Sequence, residues 1–237
     1  MNEKILILQN VTHEEPGLIT EILDEFNLNY EIIDLSHTLT ISNIKNYSLI
    51  IIMGGPDSAN DKSEKIMKEI EIIQQARNFN IPILGICLGL QLLIKSNGGE
   101  VYINPVREIG FKHNFNEWYI VSLTENGLKD PIFKNINNNF IVFQLHGETV
   151  KLNNEMCLLG TSKYCQNQIV KFGINSYGFQ FHFEVNENLF ENILKLAPEL
   201  KGYDLESLRT QYNEIKEKYL SRGRQIFINY IKILGFI

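Results

Sequence analysis

Cysteine is scarce in this 237-residue chain, which has only Cys87, Cys157 and Cys165. They form no C-x-x-C pair, which argues against a zinc site and against a disulfide framework; Cys157 and Cys165 read as ordinary buried or half-buried thiols. An excess of positive charge is also lacking. Lys and Arg total 22 against 28 Asp and Glu, a net charge of −6, so no basic surface argues for nucleic acid. Long hydrophobic runs are missing too. The apolar stretch that begins at Ile5 is too short for a signal peptide, and nothing reaches transmembrane length, so no membrane association is expected. A reduced, cytoplasmic setting follows, and it suits a reactive thiol. What is present is 44% hydrophobic content, enough over this length to bury the core of one large α/β domain.

In the first hundred residues apolar runs alternate with helical spacing. Residues 4–9, 30–34, 48–53 and the run from Ile81 read as strands; 16–26, with Pro16 in its first turn, 62–79 and 88–96 read as helices. Continuous Ile/Leu strands between helices predict a parallel sheet covered on both faces. Ligands bind such sheets beyond the carboxyl ends of the strands. After Gly99 come shorter, antiparallel-looking pieces over 117–123, 140–143, 156–161, 168–172 and 177–181, expected to extend one edge of the sheet, with the Asn-rich 135–139 as a turn. From Leu205 onward two helical segments are expected, joined near Ser221-Arg222-Gly223. Edge packing is the simplest role for them, a homodimer contact or a lid the alternatives. The expected fold is α/β: a flavodoxin-like three-layer sandwich with a mostly parallel central sheet, an antiparallel extension at one edge and a C-terminal helical segment. Residues 1–200 would form the domain and 201–237 a helical extension packed on it.

The most informative stretch is Gly85-Ile86-Cys87-Leu88-Gly89, which follows the apolar run Ile81-Pro82-Ile83-Leu84. Glycines on both sides of a cysteine permit a sharp strand-to-helix turn, with the thiol at a strained backbone position, exposed at the sheet edge. The helix that follows aims free N–H groups and the positive end of its dipole at the sulfur, which favours thiolate over thiol. Cys87 is therefore a candidate nucleophile, although a free cysteine at a strand end is more often a small hydrophobe. A partner base stands in Gln180-Phe181-His182-Phe183-Glu184. Residues i and i+2 of an extended strand share a face, so Glu184 can hold one nitrogen of His182 while the other faces the thiol, the arrangement of a nucleophile, a base and an orienting carboxylate.

Taken together, these residues resemble the class I (triad) glutamine amidotransferase domains, in particular free-standing ones without a fused synthetase. Met53-Gly54-Gly55-Pro56 is similar to the family's oxyanion loop, 85–91 to its nucleophile elbow, Gly98-Gly99-Glu100-Val101 to the turn and strand that follow, and 180–184 to its His-x-Glu motif. One departure is Phe183, where the family usually has proline; altered local rigidity rather than a lost triad is expected. The resemblance implies that Gly54 and Gln91 contact substrate, that Arg107-Glu108-Ile109-Gly110 lines the glutamine pocket through Glu108, and that Gln144-Leu145-His146-Gly147-Glu148 is a loop flanking the site. His146 is a second, weaker candidate base. His13, His37 and His113 are expected in loops, titrating freely in solvent. No metal and no cofactor are implied.

The chemistry implied is attack of Cys87 on the γ-carboxamide of glutamine, release of ammonia protonated by His182, and hydrolysis of the γ-glutamyl thioester. The backbone N–H groups of Leu88 and Gly55 are the candidate oxyanion donors, with an ordinary turn the alternative for Gly54-Gly55-Pro56. In the family an ammonia-accepting synthetase subunit is the usual partner. The alternatives are a γ-glutamyl peptidase acting on glutathione-like compounds and a non-catalytic binding module of the same fold. A cysteine-elbow chaperone or deglycase is disfavoured by the presence of His182 and Glu184.

Overall fold

Short strands of almost pure isoleucine and leucine form the centre of the molecule, β1 (Ile5–Gln9), β3 (Leu49–Ile52) and β4 (Ile83–Ile86), flanked by the more polar edge strand β2 (Tyr30–Asp34). Between them run α1 (Leu18–Glu25) and α2 (Glu64–Asn78), and α3 (Leu88–Ser96) follows β4. The structure is a computed structural model that describes residues 4–113, 117–173 and 175–237; Met1, Asn2 and Glu3, the start of the N-terminal stretch read above, lie outside them.

Alternate side chains of the central strands take opposite faces. Ile5, Ile7, Leu49 and Ile51 pack with α1 and the C-terminal helix, whereas Leu6, Leu8, Ile50 and Ile52 pack with α2 and α3. Each fully buried side chain of this kind contributes about 2 kcal/mol. A one-residue slip would exchange the two faces of a strand, so the helix layers lock the register.

The remainder of the chain comprises β5 (Glu100–Gly110), β6 (Ile120–Leu123), α4 (Glu125–Lys129), β7 (Asn139–Ile141), β8 (Gln144–Lys151), β9 (Met156–Ser162), β10 (Ile169–Phe172), β11 (Ser176–Phe179), α5 (Glu187–Leu196) and α6 (Leu205–Ile233). One nine-stranded sheet has the order β2-β1-β3-β4-β11-β10-β9-β6-β7. Its first five strands are parallel and the rest antiparallel, which is the mostly parallel core with an extended edge that the sequence predicts. β11 differs from expectation: it is antiparallel to β10 but parallel to β4. The carboxyl ends of β3, β4 and β11 are therefore neighbours, and Gly54, Cys87 and His182, just beyond them, meet at one edge.

Two other expectations are corrected. The segment around His146 is not a loop but strand β8, paired with β5 in a separate two-stranded ribbon. Its Gly147 and flanking charged side chains give little β signal, and only the partner strand makes it extended. The C-terminal region is one 29-residue helix, not two segments. Gly223 reads locally as a breaker, yet a Cβ there would lie 2.2 Å from the Phe183 carbonyl oxygen. The glycine serves close approach of the helix to the strand end, and the contact outweighs its poor helix propensity. Asp204 caps α6 by accepting the N–H groups of Glu206 and Ser207. Among the described residues no helix is long and apolar enough to cross a membrane.

Candidate active site

Cys87 is the N-cap of α3 with φ 51° and ψ −104°, a region that residues with a Cβ avoid and that stores backbone strain. The flanking glycines are obligatory. A Cβ on Gly85 would meet the Gly89 carbonyl at 2.5 Å, and one on Gly89 would meet Ile52 O at 2.2 Å. The strained peptide is held by the Cys87 N–H, which donates to Phe179 O at 2.7 Å, tying the turn to β11. The thiol is buried at 6% exposure rather than standing exposed. Its sulfur lies 3.8 Å from Leu145 O of β8 and 3.8 Å from Gln180 Nε2, so the β5–β8 ribbon and Gln180 roof the turn.

His182 Nδ1 lies 2.7 Å from Glu184 Oε1. Because a carboxylate accepts, Nδ1 carries the proton. The other Glu184 oxygen accepts the Phe183 N–H at 2.9 Å, a bond that the family's usual proline cannot make. Phe183 itself is buried against Phe179, ring centroids 5.0 Å apart. The His182 backbone is clamped on both sides: its N–H donates to Phe143 O at 2.9 Å, and its carbonyl accepts the Tyr219 hydroxyl at 2.9 Å. Nε2 is buried without a hydrogen-bond partner among the described residues. A Cβ on Gly54 would lie 2.9 Å from His182 Cε1 and 3.5 Å from Cys87 Cβ, so imidazole and thiol close over the same loop residue. Burial disfavours the imidazolium, but the charge of Glu184 and the adjacent Cys87 outweigh it and hold His182 well above the usual imidazole range.

The loop residue Gly55 presses against Asn10, where a Cβ would come within 2.7 Å. Asn10 Nδ2 donates to Met53 O at 3.1 Å and to Glu69 Oε1 at 3.0 Å, pinning the loop from behind. Leu88 occupies the first helical position of α3, so its N–H lacks an intrahelical acceptor. A cleft of about 520 Å³ beside Cys87 is lined by Gly55, Gln91, Arg107, His146 and Glu148 among others. Gln91 is buried rather than a surface residue, donating to Glu148 O at 3.2 Å. A cleft of about 540 Å³ at the opposite end of β4, around Ile81 and Pro82, contains no cysteine or histidine.

The second histidine pair is built differently. His146 Nδ1 lies 3.0 Å from Glu148 O, a carbonyl that can only accept, so this nitrogen donates. Nε2 is 3.1 Å from Glu108 Oε2. Nδ1 is thus tied to the ribbon, while Nε2 faces the Glu108 carboxylate without a hydrogen bond among the described residues, so His146 turns its second nitrogen toward Glu108 and not toward Cys87. Glu108 is fully buried behind His146, which lines the cleft, and also accepts from Gln168 Nε2 at 3.4 Å. Cys165 stands alongside, its sulfur 3.1 Å from Thr149 Oγ1, and burial pushes its thiol up to about 12. Donor atoms of Glu108, His146 and Cys165 lie within 4.8 Å of one another. These are donor types that could hold a metal ion, dispersed in sequence in a way that cysteine spacing does not test; here Glu108 of β5 faces His146 of β8, and Cys165 contacts Thr149 of β8.

Of the other histidines, His37 is exposed on a loop. His113 instead stacks on Tyr164 with centroids 4.4 Å apart, and His13 buries its Nε2. The sequence reading assigned no role to Asn10, Glu14, Gln180 or Tyr219. Only Gln180 carried a local signal, lying two residues before His182 in a β-like run.

The family described as Glutamine amidotransferase class-I matches residues 17–196. The glutamine amidotransferase-like protein YfeJ of Salmonella typhimurium is 30% identical over 158 residues, 65% of this chain and 63% of that protein. The glutamine-hydrolysing GMP synthase of Bacillus velezensis is 33% identical over 198 residues, 82% of this chain but 35% of the synthase, so the match spans about a third of that enzyme. Among solved structures, a glutamine amidotransferase from Thermotoga maritima has a TM-score of 0.85 at 26% identity, covering 98% of this chain and 99% of that one. A glutamine amidotransferase from Methylobacillus flagellatus, at TM-score 0.84, 23% identity and coverage of 98% and 95%, supports the fold.

Proposed function

Because the chain belongs to the class I glutamine amidotransferase family, we propose that it is a Cys-His-Glu amidohydrolase that cleaves the γ-carboxamide of glutamine through a cysteinyl γ-glutamyl thioester and releases ammonia. The observation that carries this reading is the His182–Glu184 pair at 2.7 Å, whose unpartnered Nε2 belongs to a ring sharing Gly54 with Cys87.

Cys87 sulfur attacks the γ-carbonyl carbon as His182 Nε2 takes the thiol proton. The oxyanion accepts the N–H groups of Leu88 and Gly55, each such donor contributing about 3 kcal/mol. His182 then gives its proton to the departing nitrogen as the C–N bond breaks, and ammonia leaves. Water deprotonated by the same nitrogen attacks the thioester, glutamate is released, and the proton returns to sulfur. Glu184 keeps Nδ1 protonated throughout. Gln91 and Gly54 contact substrate, and Glu108 acts through His146, which shapes the β8 wall of the cleft.

A second reading, hydrolysis of larger γ-glutamyl amides, is favoured by the cleft of about 520 Å³ beside the nucleophile, which has room for more than a carboxamide. The match to one third of a GMP synthase supports a separate synthetase subunit as ammonia acceptor. A cytoplasmic location and residues 201–237 as an extension of a 1–200 domain belong to the same proposal. Glutamate release from glutamine and from γ-glutamyl amides, with Cys87→Ala as control, tests it. Turnover by wild type and none by the variant is expected; turnover retained in the variant would overturn it.

A further inference from the structure

One buried carboxylate at the site has no part in this mechanism. Glu14, in the loop between β1 and α1, is 8% exposed, and among the described residues no side-chain hydrogen bond or ion pair to it is found. Its Oε2 lies 3.6 Å from the position of a Cβ on Gly54, the same position that is 2.9 Å from His182 Cε1 and 3.5 Å from Cys87 Cβ. The carboxylate therefore lies beside the glycine loop, close to both the imidazole and the thiol, behind the residues that line the cleft. Glu199, a second carboxylate, lines the cleft and buries its Oε2 without a hydrogen-bond partner among the described residues.

The charges around Glu14 do not satisfy it. Glu199 and Glu184 repel it, while His182 and Lys65 attract it. The Lys65 ammonium is already bound to Asp57 and to Asn10 O. His182 is already held by Glu184. Burial pushes the Glu14 carboxyl up to about 7, the response of an acid withdrawn from water without a donor or cation. A general acid must stand beside the leaving nitrogen, so the His182 side of the thiol is where the leaving group passes, and Glu14 is on that side.

Building on the amidohydrolase reading, we propose that Glu14, aided by Glu199, binds an ammonium carried by the leaving amine, so that the site prefers γ-glutamyl amides of amines bearing a second, cationic nitrogen. The amide C–N bond breaks as the C–S bond forms, His182 protonates the leaving nitrogen, and water then converts the thioester to glutamate. The products are glutamate and the diamine, with no other co-reactant.

The test uses three γ-glutamyl amides that differ only at the far end of the amine: those of diaminobutane, pentylamine and aminovalerate, cationic, neutral and anionic. In the wild type kcat/KM for the cationic amide should exceed that for the neutral one by about tenfold or more, with the anionic amide poorest. Glu14→Gln should collapse the order to within about twofold, mainly through KM. An unchanged order in Glu14→Gln, or an equal loss of kcat on all three, would overturn the proposal; the second result would make Glu14 a positioning residue for His182. Should none of the amides nor glutamine be turned over, the amidohydrolase reading fails, and the role of Glu14 is decided by calorimetric binding of the same amides to Cys87→Ser with and without Glu14→Gln. Tighter binding of the cation that disappears in the double variant supports it, and equal binding refutes it. If Glu14→Gln does not fold, Glu199→Gln should narrow the same preference, and no narrowing would count against the proposal.

Discussion

His182 and His146 are both buried and both face a glutamate, at 2.7 Å from Glu184 and 3.1 Å from Glu108, but only the first contact is a hydrogen bond. At His182 the carboxylate takes one nitrogen and leaves the other, which has no hydrogen-bond partner within bonding geometry among the described residues, beside the thiol. At His146 the opposite nitrogen donates to Glu148 O, a carbonyl that also accepts from Gln91, so the ring is a crosslink between two strands and the floor of the cleft. A histidine–carboxylate pair is therefore not in itself a catalytic signature. What the second nitrogen faces decides the chemistry, and that depends on the element on the far side of the ring.

The comparison breaks most directly on the histidines themselves. His182→Ala should lower kcat by three orders of magnitude or more, roughly as Cys87→Ala does, because members of a triad act as a unit. His146→Asn should stay within about tenfold in kcat, since it removes a brace and no proton carrier. Steady-state glutamate release compares the two, and equal losses would erase the distinction.

The glutamates should separate in the opposite sense. Glu108→Ala removes the buried carboxylate that faces His146 and accepts from Gln168 and should cost about 1–3 kcal/mol in urea unfolding, whereas Glu184→Gln should act chiefly on kcat, by roughly 10²–10⁴. Smaller effects sharpen the view of the His182 support. Gly223→Ala drives a Cβ toward the Phe183 carbonyl at 2.2 Å and should destabilise by about 1–3 kcal/mol. Tyr219→Phe removes only the hydroxyl bound to His182 O and should cost about 1 kcal/mol, with a larger fractional loss in kcat than in stability if the clamp sets the ring.

A further effect concerns pH. Burial raises Glu69, behind the glycine loop, from 4.5 to about 7. Between those values the folded state holds a proton that the unfolded state has released, so its contribution to stability is full below pH 4.5 and is lost as pH rises through about 7. Melting temperatures of wild type and Glu69→Gln across that range should diverge in this sense, the variant showing the flatter profile.

Much of the site was legible because its markers are local. Cys87 between glycines, the Gly54-Gly55 loop and His182 two residues from Glu184 are each patterns within a few residues, and each describes a strand end. The strands β1, β3 and β4 were readable because burial of alternate side chains under two helix layers leaves Ile/Leu-rich runs. Strand β8 was not, since its extended form depends on β5, more than thirty residues earlier. The unbroken α6 was not, since Gly223 is tolerated only because the Phe183 carbonyl needs the room. Glu14 was not, since nothing in Thr12-His13-Glu14-Glu15 distinguishes a buried carboxylate from an exposed one.

The sequence by itself determined the alternation of strands and helices, the strained turn at Cys87 and the orienting pair His182–Glu184, because periodicity, glycine freedom and the two-residue repeat of a strand act between near neighbours. Only the tertiary structure decided that β11 runs parallel beside β4, which brings His182 to Cys87. It also decided that His146 faces Glu108 with one nitrogen and bonds Glu148 O with the other, and that Glu14 is buried with no side-chain hydrogen bond or ion pair among the described residues. These outcomes depend on which distant groups share one low-dielectric space, where an opposed charge is stabilised and an unopposed one is costly.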